Sequence, residues 1–194
     1  MKSVVLLGSV LLLSACGSMQ SQVVKKNVAF DPDSQAQIRS YGSYGSDLIR
    51  IYPETDCAKW EGTKRNAVNR RFVNGLPRKV RNISIGIPPT ELSRKTEKDT
   101  GFVFRDSYRE MVVSADQPVV LDGAFSSQTR NHHYSCRVAA SFTPKAGEAY
   151  EVRYLSEEEG CDIEVYHIGH EEKDGIRPTK KLTANYCARP GTSF

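Results

Sequence analysis

Four histidines are the chain's only imidazoles, and they fall as two pairs, His132-His133 and His167-x-x-His170. Imidazole nitrogen is a common ligand for Zn2+ and Cu2+, and Glu171 and Glu172 directly follow the second pair. On a continuous strand neither pair converges, because residues one or three apart point to opposite faces. A loop in place of strand would allow either pair to converge, and the adjacent glutamates place the candidate site at His167 and His170. That keeps a metal-binding or enzymatic role for His167 and His170 as the alternative reading. The bland reading is solvated histidines, so the sequence assigns no metal ligand and no cofactor. Other chemistries lack their parts. No G-x-S-x-G occurs, and the acids of "SEEEG" and "HEEKDG" have the setting of turns, not of two carboxylates facing a cleft. The expectation is a binding protein, not an enzyme, with no catalytic residue assigned.

The strongest candidate surface is basic. From Gly62 to Thr90 there is no acidic residue, while Lys64, Arg65, Arg70, Arg71, Arg78, Lys79 and Arg81 all fall in that stretch. Guanidinium groups make paired hydrogen bonds to phosphate or carboxylate. Trp60, Phe72 and Leu76 are apolar anchors beside them. Arg70, Arg71, Phe72, Arg78 and Arg81 are therefore the candidate binding residues. The competing reading is a solvated loop whose charge the acidic turns offset. The chain's net charge of +4 is too mild to argue for nucleic acid.

Five cysteines occur: Cys16, Cys57, Cys136, Cys161 and Cys187, with no C-x-x-C among them. The last four make an even set, which in an oxidising compartment reads as two disulfides with three pairings open. Strand parity favours one. In "SCRVAASF", Cys136 shares a face with Val138, Ala140 and Phe142. In "CDIEVYHI", Cys161 shares a face with Ile163 and Val165. Cys136 and Cys161 would meet on one sheet's inner face or across two sheets, leaving Cys57 to pair with Cys187. Each link is worth roughly 3–5 kcal/mol by loop closure, less any strain.

The elements that must position these residues are strands. "DLIRIY", "YREMVVSA", "PVVLDGAF", "YSCRVAASF", "AYEVRYL" and "CDIEVYHI" all carry strand patterning, and turn residues separate them. The "TPKAGE" connection suggests that "YSCRVAASF" and "AYEVRYL" form a hairpin. One short helix is expected near "TELSRKTEKD", capped by Thr90. The basic stretch after Gly62 reads as a long loop or a β-excursion. "YGSYGS" at 41–46 reads as glycine turns. The fold class is mainly β: an antiparallel β-sandwich, transthyretin- or immunoglobulin-like, with a long basic loop insertion and disulfide staples.

The N-terminus gives an address. Lys2 precedes the apolar run "VVLLGSVLLL", ten residues and too short for a bilayer span of about 20. It ends Leu13-Ser14-Ala15-Cys16. This resembles the lipobox of bacterial lipoproteins at every position. The resemblance implies cleavage before Cys16, acylation of its thiol and anchoring by several acyl chains. Gly17 in place of Asp implies the outer membrane, with the domain facing the periplasm or the cell surface. Residues 1–15 would be the signal, 16–36 a lipidated tether, and 37–194 a single domain. The signal holds one lysine and no acid, so its loss lowers the net charge from +4 to +3.

A second resemblance covers roughly the C-terminal half. Glu110, Val113, Ala115, Pro118, Val119, Cys136, Phe142, Pro144, Gly147, Tyr150, Glu151 and Cys161 follow a pattern similar to a group of Gram-negative β-sandwich lipoproteins. It implies the fold and a disulfide and carries no chemistry. Together these observations point to a lipid-anchored accessory protein. Its expected partners are the membrane, through the lipid, and an envelope protein or an anionic lipid or glycan. The envelope address excludes nucleic acid. Replacing Cys16 by Ser should remove a metabolic fatty-acid label and move the full chain out of the membrane fraction. Label retained on the variant would contradict the lipobox reading.

Overall fold

Alternation of apolar and polar side chains decides which residues face inward, and two sheets share the core that results. The computed structural model describes residues 23–42, 48–61, 63, 66–68, 72–73, 76–77, 81–99, 106–128, 130, 133–157 and 160–188. In chain order the elements are β1 (Val23–Lys25), β2 (Gln35–Gly42), β3 (Leu48–Tyr52), β4 (Asn66–Val68), β5 (Phe72–Val73), β6 (Leu76–Pro77) and β7 (Asn82–Ser84). Helix α1 (Glu91–Lys98) follows, then β8 (Ser107–Ser114), β9 (Val119–Gln128), β10 (His133–Phe142), β11 (Ala149–Glu157), β12 (Gly160–Ile168), β13 (Thr179–Leu182) and β14 (Asn185–Tyr186). A seven-stranded sheet runs β1-β7-β8-β2-β11-β12-β13, and a five-stranded antiparallel sheet runs β14-β10-β9-β3-β4. Strands β5 and β6 form a small separate ladder.

The core takes one parity from each strand. Ala36 and Ile38 of β2, Val113 of β8, Tyr150, Val152 and Tyr154 of β11, and Ile163 and Val165 of β12 line one side. Ile49 and Ile51 of β3, Val119 and Leu121 of β9, and Ala140 and Phe142 of β10 line the other. Gly123 marks the closest approach. A Cβ there would lie 2.2 Å from Tyr154 Cδ2, so only glycine admits the ring between the sheets. The Tyr154 hydroxyl then donates to the Cys136 carbonyl at 3.1 Å, again from one sheet to the other.

Both disulfides have the pairing that parity favours. Cys136–Cys161 joins β10 to β12, across the two sheets rather than within one. Cys57–Cys187 ties the turn after β3 to the tail after β14, with a sequence separation of 130. Tyr52, Trp60, Val120 and Ala139 pack around that second link and cover the outer face of the five-stranded sheet.

Three expectations are corrected. The larger sheet is mixed rather than antiparallel: β2 runs parallel to β11, and β7 runs parallel to both β1 and β8. Long connections separate these partners, so no tight turn forces opposite directions. The strands "YSCRVAASF" and "AYEVRYL" are not a hairpin. The first pairs with β9 and β14, the second with β2 and β12, and the Pro-Gly connection passes from one sheet to the other. The stretch expected to be tether, 16–36, already contributes strand from Val23, and Ala36 is fully buried. "YGSYGS" begins inside β2, where Tyr41 and Gly42 are buried. The basic stretch carries β4 to β7, which agrees with a β-excursion.

Gly123→Ala should lower stability by about 1–3 kcal/mol, the usual cost of overpacking a filled core. Urea unfolding of a cycle with Tyr154→Leu checks the cause: most of the penalty should vanish when the ring is gone. An equal penalty in both backgrounds would show that the ring is not the obstacle.

Candidate functional site

The outer face of the seven-stranded sheet carries charges that solvent does not reach. Arg39, Glu110 and Glu151 are cross-strand partners on β2, β8 and β11, and their side chains are 2 % exposed or less. Arg39 Nε donates to Glu110 Oε1 at 2.9 Å and Nη1 to Glu151 Oε1 at 3.0 Å. Its Nη2 donates to the carbonyls of Ile87 and Pro88. Glu110 Oε2 accepts from the Ser84 hydroxyl and from the backbone N–H groups of Ile85, Gly86 and Ile87. Tyr41 and Thr90 donate their hydroxyls to Glu151. Burial opposes the Arg39 charge, but nearby negative groups outweigh it and raise its pKa. Burial, followed by the Glu151 charge, raises the Tyr41 pKa.

This network fixes the segment from Ser84 through α1 on the sheet. Thr90 is the N-cap of α1, accepting from Ser93 N while donating to Glu151. Ser93 at the third position returns a bond to Thr90 N, which completes a capping box. The buried side chains of α1 are Ser93 and Thr96, so hydrogen bonds rather than an apolar stripe hold it down. Tyr108 extends the attachment by donating to Glu97 at 2.7 Å.

Between α1 and the sheet lies a cleft of about 680 Å3. Arg94, Lys95 and Lys98 of α1, Arg153 of β11 and Arg177 of the loop before β13 line it, against Glu91 and Glu151. Arg39, Tyr41 and Thr90 already occupy Glu151, so the lining is cationic in effect. Among the described residues, the buried Nε atoms of Arg153 and Arg177 have no hydrogen-bond partner. Arg153 stacks on Tyr166 at 4.2 Å and reaches Glu164 at 3.6 Å, which leaves that Nε unused. The guanidinium and ammonium groups that line the cleft suit an oxygen acceptor that enters it.

A second cluster lies at the end of β12. Glu148, His167 and His170 bring one ligand atom each within 4.8 Å of the others. His167 Nε2 is 2.6 Å from Glu148 Oε2, and His170 Nε2 is 3.0 and 3.1 Å from the two carboxylate oxygens. Strand ends at Ile168, and Gly169 N donates to the Pro178 carbonyl, so the chain turns and the odd spacing no longer separates the rings. Glu148 arrives from the turn before β11, where Gly147 adopts a φ of +74°. Burial pushes the Glu148 carboxyl up, but its bonds to the two imidazoles outweigh that and hold it low.

The sequence-predicted residues fall in different places. Cys57, Cys136, Cys161 and Cys187 are all disulfide-bonded. Cys16, Arg70, Arg71 and Arg78 lie outside the described residues, and Phe72 is placed by its backbone in β5. Arg81 is exposed just before β7. Glu171 and Glu172, the carboxylates expected near the histidines, are exposed and outside the cluster. Glu148 takes their place. Sequence reasoning also missed the cleft, although "ELSRKTEK" shows basic residues at helical spacing and its cap was recognised.

Arg39→Met should destabilise the protein by about 3–5 kcal/mol, because it leaves two carboxylates buried without their cation. Lys95→Ala, on the exposed face of α1, should stay within about 0.5 kcal/mol. Urea denaturation compares the two directly. No protein-family model, no curated protein and no solved structure matches the chain.

Proposed function

We propose that this is a lipid-anchored binding protein of the bacterial envelope, an accessory protein rather than an enzyme, and that it holds an anionic group of its partner. The observation that carries the reading is the cleft beside α1, with its basic lining of Arg94, Lys95, Lys98, Arg153 and Arg177. Phosphate and carboxylate are the groups that such donors recognise. The basic stretch bearing Arg70, Arg71, Phe72, Arg78 and Arg81 belongs to the same reading as a further contact surface. Two disulfides point to an oxidising compartment. The lipobox at Cys16 supports attachment to a membrane, and Gly17 supports the outer one. The two-sheet fold is consistent with a sandwich of the immunoglobulin or transthyretin kind in which one sheet has become mixed.

The test is crosslinking of the full-length lipidated protein in living cells, with captured molecules identified by mass spectrometry. The wild type should give one dominant partner with an acidic or phosphorylated surface. The triple reversal Lys95→Glu, Lys98→Glu, Arg177→Glu should reduce capture by roughly tenfold or more, the scale of losing charge-assisted bonds. Unchanged capture in that variant would overturn the cleft as the contact. Loss only in Arg70→Glu, Arg71→Glu, Arg78→Glu, Arg81→Glu would move the contact to the basic stretch.

A further inference from the structure

The cluster of Glu148, His167 and His170 has a chemistry different from the cleft, and the anion reading does not depend on it. We propose that it is a binding site for a borderline divalent transition-metal ion, Zn2+ or Cu2+. The donor set is two imidazole nitrogens and one carboxylate oxygen. That set suits Zn2+ and Cu2+ and is poorly matched to Mg2+ or Ca2+, which take oxygen ligands. Two imidazoles with one carboxylate is also the three-ligand arrangement that leaves Zn2+ a position for solvent.

The three donor atoms lie within 4.8 Å of one another, and side-chain rotation must bring them to ligand spacing. Metal–ligand bonds of about 2.0–2.2 Å at tetrahedral angles place donor atoms about 3.3 Å apart. The separations from Glu148 to His170 are 3.0 and 3.1 Å, and the one to His167 is 2.6 Å. Two of the ligands stand on fixed backbone. His167 is flanked in the ladder by Tyr150 and Lys180. The Glu148 carbonyl accepts from Gln37 N at 3.0 Å, and its N–H closes the turn onto Lys145. His170 is 68 % exposed in its side chain, which gives an ion in solution a path to the site. The three donors already converge, so binding orders few side chains.

As a ligand each imidazole presents an unprotonated Nε2 to the ion and keeps its ring hydrogen on Nδ1, and the Glu148 carboxylate exchanges its bonds to the two rings for the cation. Tyr150 packs edge-on against His167 at 5.7 Å between centroids and restrains the ring.

The experiment is calorimetric titration of the detergent-purified full chain, stripped with chelator, using Zn2+ alone, with Mg2+ and Ca2+ as comparisons. One Zn2+ per chain is expected, with no heat from Mg2+ or Ca2+. Co2+ should give visible d–d bands that Zn2+ displaces. His170→Ala and Glu148→Gln should each weaken Zn2+ binding by roughly tenfold or more, while near-ultraviolet circular dichroism stays unchanged. His170 is exposed, so its variant separates ligation from folding, and Glu148→Gln keeps the side-chain shape. His132→Ala with His133→Ala should bind as the wild type does. Absence of saturable Zn2+ uptake would overturn the site. So would uptake that persists in both single variants, or uptake lost only in the His132, His133 variant.

Discussion

The architecture depends on one buried cation. Arg39 lies between Glu110 and Glu151 in a single register row, on a sheet face that a bare sandwich would leave to water. Three charges in such a place are tolerable only because every arm of the guanidinium and the oxygens in reach are hydrogen-bonded. Satisfying them requires other chain segments. Glu110 needs the N–H groups of Ile85, Gly86 and Ile87, and Arg39 needs the carbonyls of Ile87 and Pro88. The network therefore dictates where the chain from 84 to 90 runs, and that placement delivers Thr90 to Glu151 as the start of α1.

The other sheet uses the inverse arrangement. Asp122 on the outer face of β9 is fully buried and bonded to Arg50 on one side and Arg137 on the other. Arg137 continues over the Trp60 ring at 5.3 Å, and Trp60 packs beside the Cys57–Cys187 link. Each sheet thus has an apolar inner face and an outer face organised by one charge between two of opposite sign. The inner faces are joined by Tyr154 over Gly123 and by Cys136–Cys161. The covalent and packed links hold the sheets together, while the ionic rows hold the covering segments on.

Alternation made the inner face legible. Strands β3 and β8 to β12 announce themselves by period-two patterning, and the same parity pairs Cys136 with Cys161. The capped helix was legible from Thr90 because capping is local chemistry. Strand β2 was not. Its inward residues include Ala36 and Ser40, too small to show an apolar stripe, and its outward face carries Gln35, Gln37 and Arg39. A parallel partner leaves no turn signature, so the β2–β11 pairing could not be seen either. The candidate sites were half legible for a related reason. His167 and His170 stand out by type, but their carboxylate comes from Glu148, which only the β11–β12 ladder and the turn before it bring near. Glu110 and Glu151 were visible as parts of a resemblance, not as two ends of one ion row.

The cleft and the histidine cluster are connected through the same network. Arg177 N donates to the Pro89 carbonyl, one residue beyond the carbonyls that Arg39 holds. From Arg177 the chain runs back through the Lys173–Ile176 bridge to Gly169, which is fixed on Pro178, and to His170. The loop 169–178 therefore presents Arg177 to the cleft on one side and His170 to Glu148 on the other. Its backbone is attached at both ends to ordered strand, and in the middle to a segment that Arg39 positions. The buried arginine is thus the common support of both surfaces, although its own side chain reaches neither solvent nor ligand.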